Sequence, residues 1–270
     1  MNAMEVAFVE ACDEELAAPK PGNVHRYADG HGMAIADFER SARVAAPMLC
    51  HVGAPLGTRI LDAVRATREA VGQNTNLGII LLCAPLAMAT EEGGADLQAA
   101  VRSVILASDL ADAGAVFEAI RLAAPGGLGD AARHDVREPA TVTLAIAMAE
   151  AASRDSIARQ WTNGFADVLG PGLAAYSTAR VPSRAALVAY LHFLAAFPDS
   201  HVLRRHGPEV AEEVRRDAAI VCESDLDALL RWDTALKARG INPGTSADLT
   251  VATAFAARLL KFLRRSTDDG

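Results

Sequence analysis

Apolar residues recur along this chain at the spacing of α-helices. Ile60, Val64, Thr67 and Val71 follow one another at intervals of four, three and four residues, which places them on one helical face. Similar stripes mark helices over 226–236 and 249–263. Further helices are predicted over 4–17, 34–49, 77–90, 95–122 (with a break near Gly114), 138–152, 154–169, 183–197 and 208–220. No run alternates as a half-buried strand does, so the predicted fold class is all-α.

Proline and glycine separate these helices at short intervals. The clusters are Pro19–Gly22, Pro125–Gly129, Gly170–Gly172 and Asn242–Gly244. Each is typical of a turn that ends one helix and precedes the next, and none is long enough to be a flexible linker. We therefore predict one compact domain over residues 1–270.

The composition supports close helix packing and excludes several classes of protein. Alanine fills 57 of 270 positions and aromatic residues only 5%, which favours helices over sheets. The net charge of −8 argues against a nucleic-acid partner, because such proteins need a basic face. The apolar, alanine-rich composition leaves a homodimer as an option.

No segment predicts membrane insertion or export. The longest apolar stretch, Leu77–Ala89, has thirteen residues, whereas a bilayer needs roughly twenty. The N-terminus lacks a basic region before an apolar run, so we expect no signal peptide and a cytoplasmic location. The four cysteines are far apart and form no CxxC pair, so buried free thiols are expected.

Two polar segments near the N-terminus are candidate ligand contacts. The first reads PKPGNVHR over residues 19–26, where the Lys20, His25 and Arg26 side chains suit anionic oxygens. The second reads NTNLG over residues 74–78, directly before an apolar helix. One of its polar residues would serve as a helix cap, but three exceed what a cap requires. A solvated surface turn remains the alternative for the first segment.

A glycine-rich segment follows in the middle of the chain. It reads GGLGD over residues 126–130, and Arg133, His134 and Asp135 come shortly after it. The GxxxxGK[ST] pattern of a phosphate loop is absent. Asp130 is instead a candidate Mg²⁺ ligand, because Mg²⁺ prefers carboxylate and phosphate oxygens. The alternative is an ordinary turn with an acidic helix cap.

The last two polar segments lie in the C-terminal third. One reads DSHVLRRHG over residues 199–207 and combines a carboxylate with cationic side chains. The other reads NPGTSADLT over residues 242–250 and opens the last helix. Helix capping alone accounts for its hydroxyl and carboxylate groups. Neither segment contains a GxSxG elbow or a Cys/His signature for nucleophilic catalysis.

Taken together, these five segments resemble the triphosphoribosyl-dephospho-CoA synthase family, over about residues 16–260. The resemblance implies an all-α transferase that joins the ribose C1′ of ATP to the 2′-hydroxyl of 3′-dephospho-CoA and releases adenine. A carboxylate would stabilise the cationic sugar, and a second group would handle the hydroxyl proton. The retained triphosphate would need Mg²⁺, cationic side chains and helix N-termini.

On this resemblance, the candidate site residues fall into three groups. The catalytic candidates are Asp130, Asp199, Asp248 and His25. The metal candidates are Asp130 and Asp248. The candidates for substrate or phosphate binding are Lys20, Asn23, Arg26, Asn74, Thr75, Asn76, His201, Arg204, Arg205 and Ser246. Which carboxylate is the base and which binds metal stays open.

Two motifs depart from the forms usual in that family. The first usually reads PKPGLVD, and the second usually reads NTHKG, whereas residues 74–78 here contain neither the histidine nor the lysine. Leu77 cannot replace the charge of a lysine. These departures resemble a divergent branch linked to methanopterin-type C1 metabolism. Three alternatives therefore stay open: transfer to another acceptor in C1-carrier biosynthesis, a non-catalytic helical binding or assembly protein, and, more remotely, an ADP-ribosyl hydrolase.

Overall fold

The predicted helices make up the architecture of the described part of the chain, which comprises residues 1–91, 96–126, 131 and 133–268 of a computed structural model. The α-helices described there are α1 (Ala3–Ala17), α2 (Ile35–Leu49), α3 (Leu56–Val71), α4 (Leu77–Ala89), α5 (Leu97–Ala107), α6 (Leu110–Ala123), α7 (Leu144–Ala151), α8 (Ser156–Asn163), α9 (Leu173–Tyr176), α10 (Pro182–Ala196), α11 (Ser200–His206), α12 (Pro208–Ile220), α13 (Leu226–Ala238) and α14 (Gly244–Asp268). A π-helical turn, Val168–Gly172, precedes α9. No β-strand occurs within these ranges. The prediction of an all-α fold in a single compact domain is confirmed.

Several predicted helix boundaries were wrong. The helix expected over 95–122 is two helices, α5 and α6, and the break is at Ser108 and Asp109 rather than near Gly114. Asp109 forms a capping box with Asp112, which starts a new helix at that point. The helix expected over 154–169 ends at Asn163, because Gly164 takes a left-handed φ of 67°.

Helix α4 is the centre of the main hydrophobic cluster. Twelve of its thirteen residues are buried, so it has no polar face. It packs against α2, α3, α5, α8 and α14. A helix that is hydrophobic all round belongs in a core or a membrane, and here five neighbouring helices bury most of α4.

A second hydrophobic cluster is formed mainly by α10, α12 and α13. Tyr190 on α10 is fully buried there, and its hydroxyl donates a hydrogen bond of 2.6 Å to the carbonyl of Pro21. This bond fixes the turn that follows α1 against the second cluster. The PKPG segment, residues 19–22, is therefore packed against the second hydrophobic cluster and is not a solvated surface turn.

Three of the four cysteines fit the expectation of buried thiols and one does not. Cys12, Cys50 and Cys83 are buried and free, whereas Cys222 is exposed. Cys222 lies in the turn between α12 and α13, beyond the apolar positions of both helices. The expectation that all four are buried was wrong for this residue.

A search of the described residues for membrane-spanning helices finds no single helix with the necessary length and hydrophobicity. The pair α10 and α11, bent by 51° at a short break, passes the same test by length and composition only. Most of the apolar residues of α10 belong to the two hydrophobic clusters of the fold.

Candidate active site

A cavity of about 690 Å³ lies between the turn after α1, the N-termini of α4, α8 and α14, and helix α11. Its volume is within the range of small-molecule sites. The sequence-predicted site residues on its wall are Asn23, Asn74, Thr75, Asn76, His201, Arg204, Arg205 and Asp248. Gly126 of the glycine-rich segment lines the cavity as well, so residues of all five polar segments meet here although the segments are distant in sequence.

Two glycines allow these segments to approach each other closely. A Cβ on Gly78, in the first turn of α4, would overlap the Asp248 carboxylate of α14. Gly22 has a φ of 84°, and a Cβ there would lie 2.8 Å from Pro243 Cδ. The glycines of the first two segments therefore provide room for the last segment.

Three helix N-termini face the cavity. The residues of their first turns on the wall are Leu77, Gly78 and Ile79 of α4, Ile157 and Ala158 of α8, and Gly244, Thr245, Ala247 and Asp248 of α14. Each N-terminus carries partial positive charge, although the first-turn amides of α8 are already bonded to Ser200 and Asp155. The arrangement favours an anionic ligand.

Arginine side chains supply further positive charge. The wall includes Arg68, Arg133, Arg154, Arg204 and Arg205. Arg204 forms an ion pair of 2.6 Å with Asp155, and its buried Nε has no hydrogen-bond partner. Arg205 extends along Gly126, where a Cβ would come within 2.6 Å of Nη1. Guanidinium groups in this number suit phosphate oxygens.

The three polar residues that precede α4 differ in the contacts their side chains make. The Asn74 side chain accepts a hydrogen bond of 3.1 Å from Leu77 N and so caps the helix. Thr75 Oγ1 lies 2.5 Å from Ser41 Oγ. The Asn76 amide is buried, and its Nδ2 has no hydrogen-bond partner among the described residues. An unpaired buried donor on a cavity wall is a candidate ligand contact.

Two carboxylates on the wall have oxygens available to a ligand. Glu15 is 4% exposed, and burial raises its pKa although Lys20 partly opposes the shift. Asp248 makes no hydrogen bond through its side chain to any described residue. Burial, and then the nearby Glu15 and Asp199 carboxylates, raise the pKa of Asp248 well above its ordinary value. A cationic ligand would relieve this repulsion.

The remaining carboxylates described on the wall are already paired. Asp155 binds Arg204 and caps α8 through Ile157 N and Ala158 N. Asp135 binds Arg137 at 2.7 Å. Glu150 lies 3.2 Å from Arg133. These groups organise the cationic wall.

His201 is a neutral polar contact on the wall. Its Nδ1 lies 3.0 Å from the carbonyl oxygen of Asn242, which connects α11 to the turn before α14. Burial lowers the pKa of His201, an effect that nearby Asp199 partly opposes. The Asn242 side chain accepts a hydrogen bond of 2.8 Å from Asn23 Nδ2.

Two predicted site residues of the first segment do not reach the cavity wall. Lys20 is fully buried and donates hydrogen bonds to Glu15 and to Asn23 Oδ1. His25 is 1% exposed, with Nε2 3.3 Å from Asp233 Oδ1, and burial lowers its pKa. Both side chains hold the turn after α1 in place, and no contact with a ligand is available to either in this arrangement.

Other predicted residues also lie away from the wall. Asp199 is buried and caps α11, and its Oδ2 accepts hydrogen bonds from Ser246 N at 2.7 Å and Ser246 Oγ at 2.8 Å. Arg26 is exposed and is absent from the cavity lining. Asp130 lies outside the described residues. Asp199 thus joins the N-termini of α11 and α14 and supports the cavity wall without being part of it.

Sequence reasoning missed Glu15, Arg68 and Arg154, and it noted Arg133 without assigning it a role. Each is a single charged residue on or near an amphipathic helix, where solvated charges are expected. No local motif distinguishes them. The cavity lining also has an apolar part, which includes Phe38, Leu81, Phe117, Ile120 and Met148 and suits the flat or aliphatic portion of a ligand.

The fold and the cavity define an all-α protein with a cavity of the size and mixed polar and apolar lining of a small-molecule site. A family model of ATP:dephospho-CoA triphosphoribosyl transferases matches residues 1–267, and the chain belongs to this family. It is therefore a transferase, and its family uses ATP as a substrate.

A solved structure from Archaeoglobus fulgidus agrees with this assignment. That protein, provisionally named a triphosphoribosyl-dephospho-CoA synthase, has a TM-score of 0.67 and 28% sequence identity to this chain. The similarity covers 81% of this chain and 96% of that one. A search of curated proteins returns no match.

Proposed function

We propose that the cavity transfers the triphosphoribosyl group of ATP to the 2′-hydroxyl of 3′-dephospho-CoA, with release of adenine and with Mg²⁺ on the triphosphate. The observation that carries this proposal is the cavity lining, which includes five arginines and the first turns of three helices together with the Asp248 carboxylate, a group without a hydrogen-bond partner among the described residues. Membership of the family supports the choice of donor and acceptor.

The triphosphate binds along the cationic wall. Arg204 contributes the unpaired Nε, and Arg205 contributes a guanidinium that faces the cavity beside Gly126. The Asn76 amide supplies a neutral donor at the start of α4. Charge-assisted hydrogen bonds from these groups hold the ligand while the N-glycosidic bond breaks.

The residues present fit Mg²⁺ bound mainly through the substrate. The described residues contain no group of three His, Cys, Asp or Glu side chains that could hold a metal ion on their own. Mg²⁺ usually binds proteins through one or two carboxylates plus phosphates and water. Asp248 would be such a ligand, because its carboxylate lacks a partner and lies among other acids. The ion would neutralise phosphate charge.

The chemistry requires charge stabilisation at the sugar. Breaking the C1′–N9 bond develops positive charge on the ribose, as in other glycosyl transfers. The Glu15 and Asp248 carboxylates face the cavity that would hold this ribose. The apolar side, with Phe38 and Phe117, suits the adenine ring, whose release removes it from that surface.

Chromatography of the reaction products tests the proposal. Purified protein is incubated with Mg²⁺-ATP, with and without 3′-dephospho-CoA, and adenine, ADP and AMP are followed. We expect adenine only when dephospho-CoA is present, together with a product whose mass equals dephospho-CoA plus a triphosphoribosyl group. Chelation of Mg²⁺ with EDTA is the matched control and stops the reaction.

Other outcomes identify the alternatives. ATP binding by calorimetry without adenine release would contradict dephospho-CoA as acceptor and favour a different one, such as a C1-carrier precursor. Leu77 on the wall, where the related motif usually has lysine, is the residue that favours this second candidate. Absence of both turnover and ATP binding would contradict the transferase proposal and favour a binding or assembly protein.

A further inference from the structure

Glu15 lies in the last turn of α1, outside every polar segment that the sequence singles out. Its side chain is 5% exposed and forms part of the cavity wall. An acidic residue in the last turn of a helix is unfavourable for the helix dipole. A buried acid at such a position needs a specific reason to be there.

Lys20 fixes the orientation of this carboxylate. The turn through Ala18 and Pro19 brings the fully buried Lys20 ammonium onto Glu15 Oε1. The same ammonium donates a hydrogen bond of 2.8 Å to Asn23 Oδ1, and Asn23 binds Asn242. The Glu15 side chain is therefore held in place by a chain of buried hydrogen bonds.

The second carboxylate oxygen of Glu15 remains available. Within the described residues, no group donates a hydrogen bond to Glu15 Oε2. Asp155, Asp135 and Glu150, on the same wall, are paired with arginines. Asp248 lacks a partner as well, but its position against Gly78 places it at the start of α4, among the phosphate-binding groups. Glu15 is the wall carboxylate that combines a fixed orientation with a free oxygen.

We propose that Glu15 is the general base that accepts the proton of the acceptor hydroxyl, with Lys20 as its positioning residue. This inference rests on the proposed function. The acceptor O–H bond breaks and its proton goes to Glu15 Oε2, while the oxygen forms a bond to C1′ of the ATP ribose. The C1′–N9 bond breaks, and its electron pair leaves with adenine. Adenine then takes up one proton and Glu15 releases one, so the net change moves the hydroxyl proton to adenine.

The electrostatics suit a base of this kind. Burial raises the pKa of Glu15, which increases its affinity for a proton, and the Lys20 ammonium opposes this shift. Burial in turn lowers the pKa of Lys20, an effect that Glu15 opposes. A base whose pKa is shifted toward the working pH transfers protons more efficiently.

The test compares Glu15→Gln with Glu14→Gln. Glutamine keeps the size of glutamate and still accepts the Lys20 hydrogen bond, but it is not a base. Glu14 is the matched control, because it precedes Glu15 on α1 yet binds Arg258 and Tyr176 instead of the cavity. We expect Glu15→Gln to lower kcat by roughly 100-fold or more, with ATP affinity within about threefold of wild type. Glu14→Gln should keep kcat within about twofold.

Chemical rescue separates a base from a structural carboxylate. We expect formate to restore part of the turnover of Glu15→Ala, because it can occupy the vacated volume and accept the proton. A structural role would give no rescue. If Glu15→Ala does not fold, Glu15→Asp replaces it and should retain more turnover than Glu15→Gln, because it keeps a carboxylate.

The outcomes distinguish this inference from the function on which it rests. Wild-type protein that releases adenine, together with Glu15→Gln at wild-type kcat, would overturn the role of Glu15 and leave the proposed function standing. Loss of kcat matched by an equal loss of ATP binding, without rescue by formate, would also overturn it. Wild-type protein that releases no adenine with any acceptor would overturn the proposed function first.

Discussion

Two buried polar clusters near the turn after α1 differ in how many of their hydrogen bonds are made within the protein. The anchor cluster consists of His25, Asp233 and Lys237. The cavity cluster consists of Glu15, Asn76 and Asp248. Both contain buried ionisable or amide groups, and residues of both were singled out from the sequence as site candidates.

In the anchor cluster, the central carboxylate has several partners. Asp233 accepts hydrogen bonds from Gly22 N at 2.8 Å and Lys237 Nζ at 3.0 Å, and His25 Nε2 lies 3.3 Å away. Burial alone would raise the pKa of Asp233, but the nearby His25 ring, which approaches without hydrogen-bond geometry, and the hydrogen bond from Lys237 lower it below the ordinary value. This cluster therefore stabilises the fold and attaches the first turn to α13.

In the cavity cluster, some polar groups make no hydrogen bond to the described part of the protein. Asn76 Nδ2 has no partner, and the pKa of Asp248 is raised rather than lowered. Unpaired buried groups cost stability, and such groups concentrate at functional sites. The comparison shows that burial of a polar residue does not by itself indicate function, whereas unused hydrogen-bonding capacity toward a cavity does.

The largest expected effect is on the activity of the Asp248→Asn variant. We expect kcat/KM to fall about 1,000-fold, or ~4 kcal/mol, and the Mg²⁺ concentration for half-maximal rate to rise. The melting temperature should stay the same or increase, because the Asp248 carboxylate is repelled by the nearby Glu15 and Asp199 carboxylates and asparagine is not. Steady-state kinetics across a Mg²⁺ titration and thermal unfolding measure both. A variant with lower stability and normal turnover would place Asp248 with the anchor cluster.

In contrast to Asp248→Asn, the Asp233→Asn variant should lose stability and keep most of its activity. Loss of the charge leaves Lys237 and His25 without their buried partner, so we expect the free energy of unfolding to fall by about 3–5 kcal/mol. Turnover per folded molecule should remain within about threefold of wild type. Urea denaturation and activity normalised to the folded fraction test this. A large loss of turnover in fully folded protein would contradict the distinction between the clusters.

Two neighbouring asparagines sharpen the comparison within one segment. Asn76→Ala should weaken ATP binding about tenfold, or ~1.4 kcal/mol, with little loss of stability, because its amide has no partner in the protein. Asn74→Ala should mainly lower the free energy of unfolding, by about 1 kcal/mol, because Asn74 caps α4. Calorimetry with ATP and chemical denaturation of both variants measure the contrast. Identical behaviour of the two variants would refute it.

The smallest expected effect is a pH dependence of stability at His25. Its pKa is lowered in the folded protein by burial, so the unfolded chain binds the proton more readily. The stabilising contribution of His25 is present above about pH 6.5 and is lost as the pH falls below that value. The stability difference between wild type and His25→Gln should therefore shrink between pH 7.5 and 5.5, by at most about 1.4 kcal/mol per pH unit. Denaturation curves at both pH values test this, and a difference that grows on acidification would contradict it.

Local patterns in the sequence predicted most of the helices, because each depends on periodicity and on nearby capping residues. The apolar run 77–89 forms α4 almost as predicted, and its start at the asparagine-rich segment follows from that local signal. The break between α5 and α6 could also have been predicted from the sequence, because Asp109 and Asp112 form a capping box. It was missed because the apolar periodicity continues through it.

The tertiary structure decided which polar residues share the cavity. Lys20 and Glu15 are five residues apart, yet only the folded turn shows that Lys20 binds the Glu15 carboxylate and does not itself line the cavity. Arg68 lies on α3 and Arg154 lies in the turn between α7 and α8, and the packing of these distant helices brings both residues to the cavity. Helix periodicity is set by interactions within a few residues. Partner choice and burial depend on contacts between distant segments, which only the fold specifies.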